Sequence, residues 1–458
     1  MARSQGKSQS KWVCSDCGAV SQGWFGRCPS CGEWNTIEEE AAQVEAPTDR
    51  VHLGVAGAPV SAADPASVGP TERMPTGLGE VDRVLGGGLV PGSIVLLGGP
   101  PGIGKSTLLL QVSAALAASA GPVLYASGEE SVAQIASRAK RLGAADARLM
   151  LLAETRIEPI LAAAREDLEL SAVVVDSIQT VYSASHDGLP GNVSQIRAVT
   201  AQLISFAKSR EVPVIVVGHV TKDGQLAGPR VLEHMVDTVL SFEGDDERAT
   251  RLLRASKNRF GSTMELGVFE MRADGLRQVD NPSEAFLAER PKDTPGSCVT
   301  ASLEGSRPLL LEIQALLAQS FGTNPRRNCV GVDPARLAML MAVLDRHGDL
   351  FVLDHDVFVN VAGGMRLFEP SSDLAVLLAV ASSHTRRTIS GDLLAIGEIG
   401  LTGEVRQAAR LELRLAEAAR LGFRRAIIAP RRQELDVPKG LKLIEVPTVA
   451  AAMEAALK

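Results

Sequence analysis

The segment Gly99-Pro100-Pro101-Gly102-Ile103-Gly104-Lys105-Ser106 limits the fold of this chain more than any other. It fits the pattern G-x-x-x-x-G-K-[ST], after the apolar run Ile94 to Leu97 and before an apolar helical pattern starting near Thr107. Strand, glycine loop and helix in that order imply a parallel α/β sheet covered by helices. The loop's chemistry follows from its residue types. Glycines let backbone N–H groups wrap phosphate oxygens, Lys105 neutralises the terminal phosphates, and the Ser106 hydroxyl ligates Mg²⁺. Pro100 and Pro101 have no N–H to offer, so the anion nest rests on Gly102 through Ser106. Gly99, Gly102, Ile103, Gly104, Lys105, Ser106 and Thr107 are the expected ATP-binding residues, with Lys105 also a catalytic candidate.

Three further apolar runs end in polar residues that suit the same site. Ala172 to Val175 leads into Asp176, a carboxylate placed for the magnesium's water shell at the sheet edge where ligands collect. Val123 to Ala126 leads into Ser127-Gly128-Glu129-Glu130, which offers two carboxylates to polarise an attacking water. Glu129 is the expected base and Glu130 its close rival; acids at a helix start are also favoured for electrostatic reasons alone. Val214 to Val217 leads into the polar loop Gly218-His219-Val220-Thr221-Lys222-Asp223-Gly224. There His219 is the candidate sensor of the γ-phosphate, and Lys222 and Arg230 are candidate DNA contacts.

Four of the six cysteines, Cys14-x-x-Cys17 and Cys28-x-x-Cys31, lie close to the N-terminus, while Cys298 and Cys329 stand alone in apolar stretches. Two thiolate pairs on so short a loop imply one tetrahedral metal, zinc by preference and rubredoxin-like iron as the alternative. Gly18 and Gly32 each follow a pair, as tight metal knuckles require. So small a module buries little apolar area, so the metal is expected to supply most of its stability, with Trp12, Trp24, Phe25 and Trp34 packed around it. The expected organisation is a finger over 1–37, a flexible linker over 38–70, a nucleotide-binding domain over 71–285 and a second α/β domain over 286–458, the last boundary taken from Pro291 and Pro295. The net charge of -7 leaves any nucleic-acid binding to local basic patches. The opening MARSQGKSQSK is polar and no run approaches the ~20 apolar residues of a membrane span, so a cytoplasmic location is expected.

At Lys257-Asn258-Arg259-Phe260-Gly261 the chain carries the KNRFG signature and so resembles the RadA family of bacterial recombination and repair proteins. The four-cysteine finger, the phosphate loop, Asp176-Ser177-Ile178-Gln179-Thr180 and the Gly218 to Lys222 loop extend the resemblance over essentially the whole length. It implies a RecA-like ATPase core in a ring, usually hexameric. Such a ring hydrolyses ATP, binds single-stranded DNA and promotes branch migration of branched recombination intermediates beside the RecA recombinase. Lys257 and Arg259, expected beyond a strand at Arg251 to Ala255, then become candidate cationic fingers for a neighbouring subunit's nucleotide.

From about 286 onward the chain is similar to the proteolytic domain of Lon proteases, notably at Val357 to Val361, Glu369-Pro370-Ser371-Ser372 and Gly397 to Val405. That resemblance places the Lon nucleophile at Ser371 and the catalytic lysine at Arg414. Arginine cannot shed its proton, so a Ser-Lys dyad is ruled out and no peptidase activity is expected. The paired arginines Arg326 and Arg327, Arg386 and Arg387, and Arg424 and Arg425 are candidate phosphate contacts. The rival functions are an ATP-dependent protease, opposed by Arg414, and a signalling phosphotransferase, which leaves the finger and KNRFG unexplained.

Overall fold

Chemistry shared by four strand ends needs those strands parallel and adjacent, and a computed structural model of the chain arranges them so. It describes residues 11–21, 23–40, 72–165, 169–219, 231–244, 249–291, 294–320 and 325–458. The chain divides into two compact units after Gln278.

The first unit opens with the antiparallel strands β1 (Lys11–Cys14), β2 (Val20–Ser21) and β3 (Ile37–Glu40), in the order β2-β1-β3. Glu38, Glu39 and Glu40 pair with Val13, Trp12 and Lys11, so they belong to the finger and not to the linker expected from residue 38. Buried Ile37 anchors the strand, and pairing to β1 overrides the weak strand preference of glutamate. The rest of the expected linker lies outside the described residues.

Next come α1 (Gly79–Leu85), β4 (Ile94–Gly99), α2 (Lys105–Ser119), β5 (Val123–Ser127), α3 (Val132–Arg141), β6 (Leu149–Ala153), α4 (Ile157–Arg165), β7 (Ala172–Asp176), α5 (Val193–Arg210), β8 (Val214–His219), α6 (Val231–Met235), β9 (Thr238–Gly244), β10 (Thr250–Asn258), β11 (Leu266–Arg272) and β12 (Gly275–Gln278). They build one nine-stranded sheet, β12-β11-β10-β9-β4-β8-β7-β5-β6. The six strands from β9 to β6 are parallel, and β9 to β12 continue as an antiparallel meander. Helices cover both faces. Along β4, Val95 and Leu97 join the core formed with α1, α2 and α3, while Ile94 and Leu96 join the core of α4 and α5. Burial on both sides is why these strands read as unbroken apolar runs.

The second unit contains α7 (Pro282–Leu287), β13 (Ser297–Glu304), β14 (Arg307–Gln319), β15 (Arg327–Val330), α8 (Pro334–His347), β16 (His355–Val361), α9 (Asp373–Thr385), β17 (Leu393–Ile396), β18 (Glu398–Ile399), β19 (Val405–Arg406), α10 (Leu411–Arg420), β20 (Arg425–Ile428), β21 (Lys442–Glu445) and α11 (Val449–Ala456). Its seven-stranded mixed sheet runs β15-β16-β14-β13-β17-β20-β21. The unit begins at Val279, not near 286. Asn281 caps α7 by accepting the Glu284 N–H, and Ser283 of that helix donates to Glu417 and accepts from Leu310 N–H. The first helix of this unit thus follows directly on the last strand of the previous one, with no composition break between them.

Candidate active site and metal centre

Strand register gathers the expected site. Gly99, closing β4, is level with His219 of β8, and Ser127, closing β5, is level with Asp176 of β7. In a parallel sheet these residues share one edge, so phosphate loop, acidic pair and Asp176 converge without any long-range bend. Gly102 and Gly104 hold φ of +78° and +111°, left-handed values that glycine takes without strain. The helix α2 starts at Lys105, so its first N–H groups, those of Ser106 and Thr107 included, have no partner inside the helix and are available to an anion.

Lys105 is 5% exposed, and its Nζ donates to the carbonyls of Gly99 (2.8 Å) and Pro100 (2.9 Å). Burial pushes its pKa down, while the charges of Asp176 and Glu129 pull it back up, so both carboxylates lie within electrostatic reach of the ammonium. Ile103 is buried, leaving its backbone as the part that can meet a nucleotide. Its carbonyl accepts from Nε of Arg251 (3.2 Å), a buried arginine of β10. Ser106 and Asp176 supply the hard oxygen donors that a magnesium ion takes.

The two glutamates are separated by their partners. The Ser127 hydroxyl oxygen accepts the N–H groups of both Glu129 (3.2 Å) and Glu130 (3.1 Å). A Cβ on Gly128 would come within 2.4 Å of the Thr180 hydroxyl, so only glycine lets this turn press against the Asp176 to Thr180 segment. The exposed Glu129 accepts a hydrogen bond from the buried Ser177 hydroxyl. Glu130 instead makes an ion pair with Arg138 of α3. Tyr125, buried in β5, donates to Oδ2 of Asp176 (2.7 Å). Tyr125, Ser177 and Arg251 escaped the sequence reading. A tyrosine in a Val-Leu run reads as core packing, and only its buried hydroxyl, which needs an acceptor, could have hinted at more. The backbone of His219 ends β8 beside Gly99; its side chain, with Lys222 and Arg230, lies outside the described residues.

In the finger, the four cysteine sulfurs lie within 4.8 Å of one another, with Cys14 to Cys31 at 3.7 Å and Cys17 to Cys28 at 3.6 Å. A tetrahedron with metal–sulfur bonds of ~2.3 Å has edges of about 3.8 Å, so the cage fits. Gly18 and Gly32, at φ +68° and +79°, donate their N–H groups to the carbonyls of Cys14 and Cys28 and close the two knuckles. Backbone N–H groups of Cys31 and Ser30 hold the Cys28 thiol below its ordinary value, while at Cys31 the Glu33 N–H is outweighed by burial and the neighbouring sulfurs, which hold that thiol above it. The aromatics depart from expectation. Trp12 packs on the metal core, but Trp24, Phe25 and Trp34 are 59%, 51% and 68% exposed. The metal knuckles leave no interior large enough for them.

The AAA domain family matches residues 70–225, and the rubredoxin metal binding domain family matches residues 12–39. The chain is 50% identical to the "DNA repair protein RadA" of Bacillus subtilis (strain 168) over 98% of its own length and 99% of the relative's. It is 48% identical to the protein of the same description from Pseudomonas aeruginosa, again over 98% and 99%. This chain belongs to the RadA family of DNA repair proteins. Among solved structures, a RadB recombinase matches 45% of this chain and 99% of its own at 25% identity, with a TM-score of 0.36. The fold is the α/β one the family resemblance implied, a RecA-like P-loop core with a four-cysteine zinc ribbon before it.

The family signature sits otherwise than expected. The strand β10 runs on through a bulge after Ala255, so Lys257 and Asn258 lie within it and not beyond it. Lys257 Nζ donates to the carbonyls of Glu233 (2.6 Å), His234 (3.3 Å) and Val236 (2.8 Å), capping the end of α6. The Asn258 amide donates to Val84 and Leu85 at the end of α1, and Arg259, 54% exposed on its side chain, pairs with Asp237 (3.2 Å). Within one chain, then, Lys257 is a helix cap, and Arg259 is the signature's outward-facing cation.

In the second unit, Arg414 is fully buried and makes a two-pronged ion pair with Glu369, both contacts 2.6 Å. Ser371 is buried close by in sequence. The three arginine pairs divide. Arg327 donates to the carbonyl of Leu353 (2.8 Å), Arg387 to those of Leu457 and Lys458 (3.0 Å each), and Arg425 pairs with Asp392 (2.8 Å). Arg326, Arg386 and Arg424 are exposed. No helix of the described residues is long and apolar enough to cross a membrane.

Proposed function

We propose that this chain is a DNA-dependent ATPase that binds single-stranded DNA and promotes branch migration of intermediates made by a RecA-type recombinase, working as a homo-hexameric ring in the cytoplasm. The observation that carries the reading is the convergence of Lys105, Asp176 and Glu129 at the sheet edge where β8 ends at His219. ATP would lie with its phosphates on Gly99 to Thr107. Mg²⁺ would be held by Ser106 and, through water, by Asp176. Glu129 would orient a water on the γ-phosphate. His219 would couple that phosphate to Lys222 and Arg230, which would contact DNA phosphates with little regard to sequence. Arg259 is the better candidate for a finger to a neighbouring nucleotide; Lys257 positions α6. Arg326, Arg386 and Arg424 are the members of their pairs available for DNA.

The test is steady-state ATP hydrolysis at fixed low salt with and without single-stranded DNA, beside Lys105→Ala. Hydrolysis that rises with DNA, and falls to background in Lys105→Ala with DNA present, is the expected result. DNA that changes neither hydrolysis nor nucleotide-dependent binding would refute it. An ATP-dependent protease is disfavoured because Arg414 cannot act as a base and is locked to Glu369. Incubation of the wild-type chain with unfolded protein and ATP should therefore release no peptides.

Zinc is proposed for the four-cysteine cage. Elemental analysis should find one zinc per chain, lost in Cys28→Ser, and chelation should change the fluorescence of the finger's tryptophans. Magnesium-dependent nucleotide binding should survive, because the sheet core shares no residue with the metal core. Iron in place of zinc would give a coloured protein and would revise the assignment.

A further inference from the structure

Asp176 has one carboxylate oxygen already engaged. Its Oδ2 accepts from the Tyr125 hydroxyl at 2.7 Å, and Tyr125, on the neighbouring strand, is 2% exposed. A phenol so placed has no water to turn to, so its O–H stays on the carboxylate. With Oδ2 engaged by the phenol, Oδ1 is the oxygen left for a metal's water, while Lys105 rests on the carbonyls of Gly99 and Pro100.

We infer that Tyr125 is a positioning residue that sets the divalent-metal affinity of the nucleotide site by holding Asp176 through one buried hydrogen bond. The inference rests on the reading of Asp176 as the magnesium-shell carboxylate. Nothing in the phosphate-loop pattern points to Tyr125; only the pairing of β5 with β7 brings the two together. Removing a group that orients a metal's carboxylate typically costs ~10- to 100-fold in metal affinity.

Tyr125→Phe keeps the ring and removes only the hydroxyl. Mn²⁺ binding is followed by electron paramagnetic resonance on the full chain with a non-hydrolysable ATP analogue, for wild type, Tyr125→Phe and Asp176→Asn. Mn²⁺ affinity is expected to fall roughly tenfold or more in Tyr125→Phe. Binding of a fluorescent ATP analogue in EDTA and the thermal unfolding midpoint should stay at wild-type values. A Tyr125→Phe titration that overlays wild type while Asp176→Asn is shifted overturns the inference and leaves the Asp176 reading intact. If neither variant is shifted, both fall. An equal loss of metal-free nucleotide binding in Tyr125→Phe would make the tyrosine a general support of the site and would also overturn it.

Discussion

Glu129→Gln should lower kcat for ATP hydrolysis by ~10²- to 10⁴-fold, the range that a positioned general base contributes, while Glu130→Gln stays within a few-fold of wild type. The neighbours are chemically identical and differ only in what holds them. Glu129 shares the electrostatic environment of Lys105 and is steadied by Ser177, so its carboxylate is kept at the phosphate end of the sheet. Glu130 is committed to Arg138 on the outward helix. Both variants should bind ATP and Mg²⁺ as wild type does, which places the loss in the chemical step. Single-turnover hydrolysis with preformed enzyme–nucleotide complex makes the measurement. A near-wild-type Glu129→Gln beside an inactive Glu130→Gln would reverse the assignment.

Arg414→Ala should destabilise the second unit by about 3 kcal/mol, the lower end of what stripping one partner from a buried ion pair costs, since Arg414 is fully buried but Glu369 only partly so. Its thermal transition should then fall by on the order of 10 °C, with that of the nucleotide-binding unit unmoved. The size follows from what Arg414 and Glu369 do together. The strand β13 pairs with β17 only at Val299, so its edge beyond that residue has no strand partner on that side. Glu369 accepts the N–H of Leu303 (2.7 Å), and Arg414 donates to the carbonyl of Ala301, so an ion pair occupies the place of missing backbone. Alanine would leave a half-buried carboxylate without its cation and an open strand edge. Burial opposes the ionised form of Glu369, but Arg414 and the Leu303 N–H outweigh it and hold its pKa below the ordinary value. That contribution is complete above the unfolded pKa of ~4.3 and is lost as pH falls through the lower folded value. The gap between wild type and Arg414→Ala should therefore narrow in acid. Calorimetry of the two chains across pH tests both statements.

What the sequence disclosed follows a physical division. Strand ends in the nucleotide domain are legible because strands buried on both faces carry unbroken apolar runs, and the polar residue ending each run is then conspicuous, as Ser127 is on β5 and Asp176 on β7. Partners across strands were not legible. Tyr125 bonds to a residue 51 positions away and Arg251 supports a loop 148 positions away, and no local spacing encodes either contact. The signature at Lys257 was visible as a motif, but its mechanical use depended on a bulge that lengthened β10 past Ala255. The start of the second unit is hard to place because Asn281 and Pro282 begin α7 almost at once after β12, ahead of Pro291 and Pro295, which signal a boundary in the same way. The aromatics of the finger were misplaced because hydrophobicity alone says nothing about whether a core has room.

The cap that Lys257 places on α6 has a mechanical consequence. The carbonyls of Glu233, His234 and Val236 all accept from one ammonium on β10, so the turn that leads from α6 into β9 is pinned to the strand beside β9. The start of β9, where Thr238 pairs with Val95 of β4, is thereby fixed from two sides, by β4 itself and by Lys257.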